Sequence, residues 1–107
     1  MTSNTTESPA RIAVVSDPSG WQVLVSGELD LCSGRELLEV CSVLAAHRVG
    51  VVAVDLAGVS FVDPAGWRAV EESLRELATA GRPATVRRSS EPVRRFRALF
   101  TKMASAA

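Results

Sequence analysis

The chain has 107 residues, 47% apolar and 22% charged, the proportions of one globular domain that needs neither disulfide nor metal to build a core. Twelve Lys and Arg balance twelve Asp and Glu, which excludes bulk attraction to nucleic acid and an acidic tail. No stretch approaches the roughly 20 apolar residues of a membrane span, and the polar start Met1-Thr2-Ser3-Asn4-Thr5-Thr6-Glu7 lacks the pattern of a secretory signal, so a cytoplasmic protein without membrane insertion is expected.

Residues 1–10 read as a flexible tail, because Ser, Thr, Asn and Pro dominate and no period is present. Ile12 and Val14, then Trp21, Val23 and Val25, alternate around Asp17-Pro18-Ser19-Gly20, a cluster suited to a turn. A hairpin of strands 11–16 and 21–26 follows. Ser33-Gly34-Arg35-Glu36 has the spacing of a capping box, and Leu37, Val40, Cys41 and Leu44 form one apolar stripe, so a helix is expected over 34–47. The β-branched run Val51-Val52-Ala53-Val54-Asp55-Leu56 reads as a central strand, and 57–62 as a connection.

Asp63 is a good N-cap, and Pro64 at the first helical position gives up only an N–H that has no helical partner anyway. Val62 and Trp67 have the spacing of a hydrophobic staple. The helix turns Trp67, Val70, Leu74 and Leu77 inward and stops at Gly81. Residues 84–86 make a short strand, and Ser89 or Ser90 caps a last helix bearing Val93, Phe96, Leu99, Phe100 and Met103. The domain therefore spans 11–103, with a frayed end at 104–107. The fold class is α/β: a mixed sheet of about four strands with about three helices packed on it, the helical crossovers implying parallel pairs.

Chemistry is sparse. There is one histidine, His47, at a helix end, and no Gly-rich phosphate loop, so no catalytic residues and no cofactor are assigned. Cys32 and Cys41 lack the four-ligand company of a zinc site. With Cys41 on a helical stripe and Cys32 just before the helix, their separation of roughly 12 Å exceeds the reach of a disulfide, about 4.4–6.8 Å. Asp30, Asp55 and Asp63 stand at strand ends or before helices, where open α/β folds place ligands, and where capping residues also stand. By itself this pattern describes a small binding module.

Three segments carry a resemblance: Val25-Ser26-Gly27-Glu28-Leu29-Asp30, then Val54-Asp55-Leu56-Ala57-Gly58-Val59-Ser60-Phe61-Val62-Asp63-Pro64-Ala65-Gly66, then Ser89-Ser90-Glu91-Pro92-Val93-Arg94-Arg95. In order and spacing they resemble the STAS domain of bacterial anti-sigma factor antagonists. The middle segment is the specific one. The resemblance covers Arg11 to Met103 and implies a non-enzymatic module that docks on an anti-sigma factor or serine-kinase-like partner to regulate transcription. It implies a partner-binding surface at Asp30, Asp63, Pro64, Ala65, Gly66, Trp67 and Arg68. In such proteins the residue after the Asp that matches Asp63 is a serine that the partner phosphorylates. Here that phospho-acceptor-equivalent position is Pro64, followed by Ala65, and neither has a hydroxyl; Ser60 is the nearest hydroxyl upstream. The same resemblance allows an alternative, a STAS regulatory or scaffold subunit of another complex such as a lipid-transport ABC system.

Two residues carry double readings: Gly66 permits close backbone approach either to a partner or between helix and sheet, and Trp67 is either core or an interface anchor. The basic set Arg87, Arg88, Arg94, Arg95, Arg97 and Lys102 reads as a solvated face, and direct nucleic-acid binding is not expected. The neutral total conceals polarity, since residues 1–80 sum to −6 and residues 81–107 to +6. Oligomeric state stays open.

Overall fold

The computed structural model describes residues 10–47 and 50–106. The elements run β1 (Arg11–Asp17), β2 (Gly20–Leu29), α1 (Leu31–Ala46), β3 (Val52–Val62), α2 (Pro64–Thr79), β4 (Ala84–Ser89) and α3 (Glu91–Ala106). The strands lie in the order β1-β2-β3-β4. β1 is antiparallel to β2, and β2, β3 and β4 are parallel. This is the expected α/β architecture: a four-stranded mixed sheet with three helices. The hairpin turns at Gly20, whose φ of 148° is open to glycine, and where a Cβ would run into the Val51 carbonyl.

The core forms because the two periods meet. Val23 and Val25 of β2 and Val52, Val54 and Leu56 of β3 are every second residue, so they share one sheet face. Against them lie Leu37, Cys41 and Leu44 of α1 with Val70 and Leu77 of α2, all buried in one cluster. Burying each such aliphatic side chain stabilises the fold by about 1.5–3 kcal/mol. Helices α1 and α2 pack on each other through small residues: a Cβ on Gly34 would stand 2.8 Å from the Ala69 Cβ. Further along, Ser42 Oγ donates to the Glu76 carboxylate (2.8 and 2.9 Å). Cys41 sits in this seam with no exposure, and burial pushes its thiol pKa up to about 11. Both cysteines are free.

Several boundaries differ from the sequence reading, each for a local reason. β2 runs on to Leu29 and β3 to Val62. Residues 57–62, expected as a connection, are therefore strand. The alternation was hidden because the β2–β3 register shifts twice, between Leu24/Ser26 and Gly27/Glu28, and each shift breaks the period of two. α1 begins at Leu31 rather than Gly34. Its cap is Asp30, and Ser33 is the third helical residue answering it, so the expected Ser33–Glu36 box does not form. β4 extends to Ser89, which leaves Ser90 as the residue before α3; Ser90 Oγ accepts from the Val93 N–H at 3.4 Å. α3 includes residues 104–106, read from sequence as frayed. The tail at 1–9, and Arg48 beside His47, lie outside the described residues. His47 caps α1, its Nδ1 bonded to the Val43 carbonyl (2.7 Å).

Candidate functional site

Helices α1 and α2 start at the same corner, where β2 and β3 end. At the end of β2, Asp30 turns the chain with extended backbone (φ −128°, ψ −165°) and accepts from the Ser33 N–H (3.1 Å). In return Ser33 Oγ accepts from the Asp30 N–H (2.9 Å) and donates to the Glu28 carbonyl (2.7 Å). The Ser33 N–H, with further help from the Ser33 hydroxyl, holds the Asp30 carboxyl below its usual range against an opposing effect of burial.

At the end of β3, Asp63 repeats the arrangement (φ −117°, ψ 173°), its Oδ1 accepting from the Gly66 N–H at 2.7 Å. The two turns are joined, because the Asp63 N–H donates to the Leu29 carbonyl (3.2 Å). Gly66 makes that joint possible. A Cβ there would overlap the Leu29 carbonyl oxygen and stand 2.5 Å from its carbon.

Of the seven residues assigned to a partner-binding surface, Pro64 and Arg68 are exposed, Asp30, Asp63 and Ala65 are half-buried, and Gly66 and Trp67 are buried. Gly66 is thus accounted for by helix-to-sheet approach. Trp67 is 7% exposed, tilted against Phe96 of α3 with centroids 6.5 Å apart, and lies beneath the Arg97 guanidinium at 5.2 Å. The corner is therefore a surface of five residues resting on two that hold it from below. No group of three or more His, Cys, Asp and Glu able to hold a metal occurs among the described residues, and one oxygen of each corner aspartate is occupied by a helix N–H.

Three neighbours of the corner were not assigned to it from sequence. Leu31, the first residue of α1, is 55% exposed, and Phe61, paired with Glu28, is 48% exposed. Both are large apolar groups left in water beside the caps. Reading Asp30 as the cap would have exposed Leu31, whereas Phe61 could not be placed while 57–62 looked like a connection. Arg97, the third, reaches Trp67 from α3 by tertiary folding alone. Ser60, the nearest upstream hydroxyl, is an exposed residue of β3 outside the helix start.

The basic set is substantially occupied. Arg88 grips the buried Asp55 carboxylate through Nε and Nη2 (3.0 and 2.6 Å), Arg94 donates to the Ser89 carbonyl, Arg95 pairs with Glu91 at 3.0 Å, and Arg97 covers Trp67. An open groove of about 650 Å³ between the C-terminal halves of α1 and α2, lined by Leu38, Ser42, Glu76 and Ala80 among others, is at the opposite ends of these helices from the corner. No helix among the described residues is long and apolar enough to cross a membrane.

Neither a family model nor a curated protein matches the sequence. Solved structures do match. An anti-sigma factor antagonist from Mycobacterium paratuberculosis superposes with a TM-score of 0.74 at 20% identity, over 91% of this chain and 82% of that one. The anti-sigma factor antagonist SpoIIAA in its unphosphorylated form gives 0.61 at 19% identity, over 80% of each chain. An antisigma-factor antagonist STAS domain from Rhodobacter sphaeroides gives 0.55 at 18% identity, over 78% of this chain and 94% of that one. The fold of this chain is STAS-like.

Proposed function

We propose that this chain is a non-enzymatic binding module of the anti-sigma factor antagonist type, acting in the cytoplasm on an anti-sigma factor or serine-kinase-like protein, and that it does so without a phosphorylation switch. The docking surface is the corner of Asp30, Asp63, Pro64, Ala65 and Arg68, with Gly66 and Trp67 fixing its shape from below. One observation carries the reading. The exposed first position of an Asp-capped helix, where a phosphate would meet free N–H groups and the positive end of the helix dipole, is occupied by a proline. Proline preserves the helix start and removes the acceptor. The likeness in fold to anti-sigma factor antagonists supports the choice of partner class.

The test is a pull-down from the source cells with the wild-type chain and with Asp63→Arg, each with and without ATP. Recovery of a kinase-like protein by the wild type, lost in Asp63→Arg and indifferent to ATP, is the expected result. Transfer of phosphate to residues 60–66 sinks the reading. Recovery of a transporter ATPase subunit instead favours a regulatory role in an ABC system.

A further inference from the structure

At the far side of the sheet from α2 lies β1, which has β2 on one side and no strand on the other among the described residues. Its outward-facing backbone follows from its neighbour. The Trp21 N–H donates to the Val51 carbonyl, on the β3 side, at 2.8 Å. Trp21 therefore turns its backbone groups away from β1, and the Ser16–Trp21 pair is of the non-hydrogen-bonded kind. The β1–β2 register continues without a shift to Arg11↔Ser26, so Ile12, Val14 and Ser16 all aim N–H and C=O out of the sheet.

Edge strands are ordinarily protected by a charge, a proline or a bulge. Between positions 12 and 16 β1 has none of these, its sequence being Ile12-Ala13-Val14-Val15-Ser16. Val14 and Val15, on opposite faces, are 40% and 44% exposed. The strand is also its own complement. A two-fold axis through Val14 sets Val14 against Val14 and Ile12 against Ser16, so each outward backbone group meets a partner. The net charge of zero adds no repulsion between copies.

We propose that the chain forms a two-fold dimer by antiparallel pairing of β1 with β1 of a second copy, centred on Val14. The two sheets join into one of eight strands, and Val14 and Val15 each gain a cross-strand neighbour, Val14 its own copy and Val15 the partner's Ala13. The corner at Asp63 lies at the end of β3, two strands from the joined edge. The dimer does not depend on the function proposed above, but it would present that docking surface twice, and a partner with two matching sites would gain avidity from it.

Light scattering on the full chain across about a hundredfold range of concentration reads the association directly, since a dimer held by mass action dissociates on dilution. A mass rising towards twice 11.4 kDa is expected, and 11.4 kDa at every concentration overturns the proposal. Val14→Lys, which places like charges opposite each other at the axis, is expected to be monomeric with unchanged circular dichroism; a persistent dimer overturns the assignment to this edge.

Register is tested in a Cys32→Ser background, with Cys41 buried. Val14→Cys brings two thiols directly opposite, at about 5.5 Å between Cα atoms, and is expected to oxidise to a covalent dimer. Val15→Cys stands opposite Ala13, beyond disulfide reach from its own copy, and is expected to stay reduced. Equal cross-linking of the two overturns the Val14-centred register.

Discussion

Gly66 shows how much one absent side chain decides. Both readings of this glycine invoke close approach, and the neighbour is internal: the Leu29 carbonyl lies where a Cβ would go. The contact is with backbone at the end of β2, which cannot rotate out of the way, so relief requires α2 to move off the sheet. Gly66→Ala is expected to destabilise the protein by about 2–3 kcal/mol, the upper part of the range for overpacking, and to disturb the Asp63–Gly66 and Asp63–Leu29 hydrogen bonds together. Urea unfolding measures the first effect. Amide exchange at Asp63 and Gly66 measures the second, and unchanged protection at both would show that the corner does not depend on this approach. Gly34 is a milder case, since the atom it would meet is the Ala69 Cβ at 2.8 Å, on a helix surface that can shift.

Strands β3 and β4 are locked at their joint end by Asp55. The carboxylate is 3% exposed and accepts from the Ala57 N–H (2.9 Å) and from Arg88. Beside it the β3–β4 register shifts between Val54 and Asp55, and this shift sets Arg88 opposite the acid. Burial by itself raises the pKa of Asp55, but the Ala57 N–H and the Arg88 guanidinium outweigh it and leave the carboxyl below 3.8. The folded state thus binds the proton more weakly than the unfolded one. The stabilisation is complete above that value and is lost as pH falls through it towards the folded-state pKa. Asp55→Asn keeps the acceptor for Ala57 and removes the titration. The variant is expected to be less stable than wild type at pH 7 and to lose less stability between pH 7 and pH 3, as read from urea midpoints. Parallel acid profiles would remove Asp55 from the account. Its structural reach extends to α3, because Leu56, the next residue, accepts from the Ser90 N–H (3.1 Å) where that helix begins.

Over the whole molecule, the proposed docking corner lies at the ends of β2 and β3 and the free edge at β1, so a second copy paired along β1 would sit on a strand that carries none of the corner residues. The switch that the proposed function lacks can be introduced by one change. Pro64 is exposed at the first position of α2, and serine there costs little helix stability because the first N–H groups have no helical partner. With the kinase-like partner recovered in the pull-down and ATP, Pro64→Ser is expected to take up about one phosphate per chain and then to release the partner, as the added charge of about −2 enters a surface already holding Asp30 and Asp63. Wild type is expected to take up none. Retention of the partner by the phosphorylated variant would separate this corner from the docking surface.

Element order, the parallel crossovers, the buried stripe of α1 and the Asp63 cap were all legible in the sequence, because they rest on local periodicity and on capping rules that span a few residues. So were the three segments that resemble STAS domains, and with them Pro64 at the position to which that resemblance assigns the phospho-acceptor. The extent of β2 and β3 was not, since their two register shifts break the period of two that makes a strand visible. The cap of α1 was misplaced by one turn because Asp30 and Ser33 both qualify locally, and only the reciprocal bonds between them decide. That Gly66 and Trp67 are both buried depends on Leu29, Phe96 and Arg97, residues far away along the chain. The balance of 12 basic and 12 acidic groups likewise acquires meaning only in three dimensions, where Arg88 of the basic end is consumed by Asp55 of the acidic portion. Sequence by itself determined the elements and their order, because those are set by short-range spacing. The tertiary structure alone decided which side chains support the corner and which remain exposed, because burial depends on what the rest of the chain brings alongside.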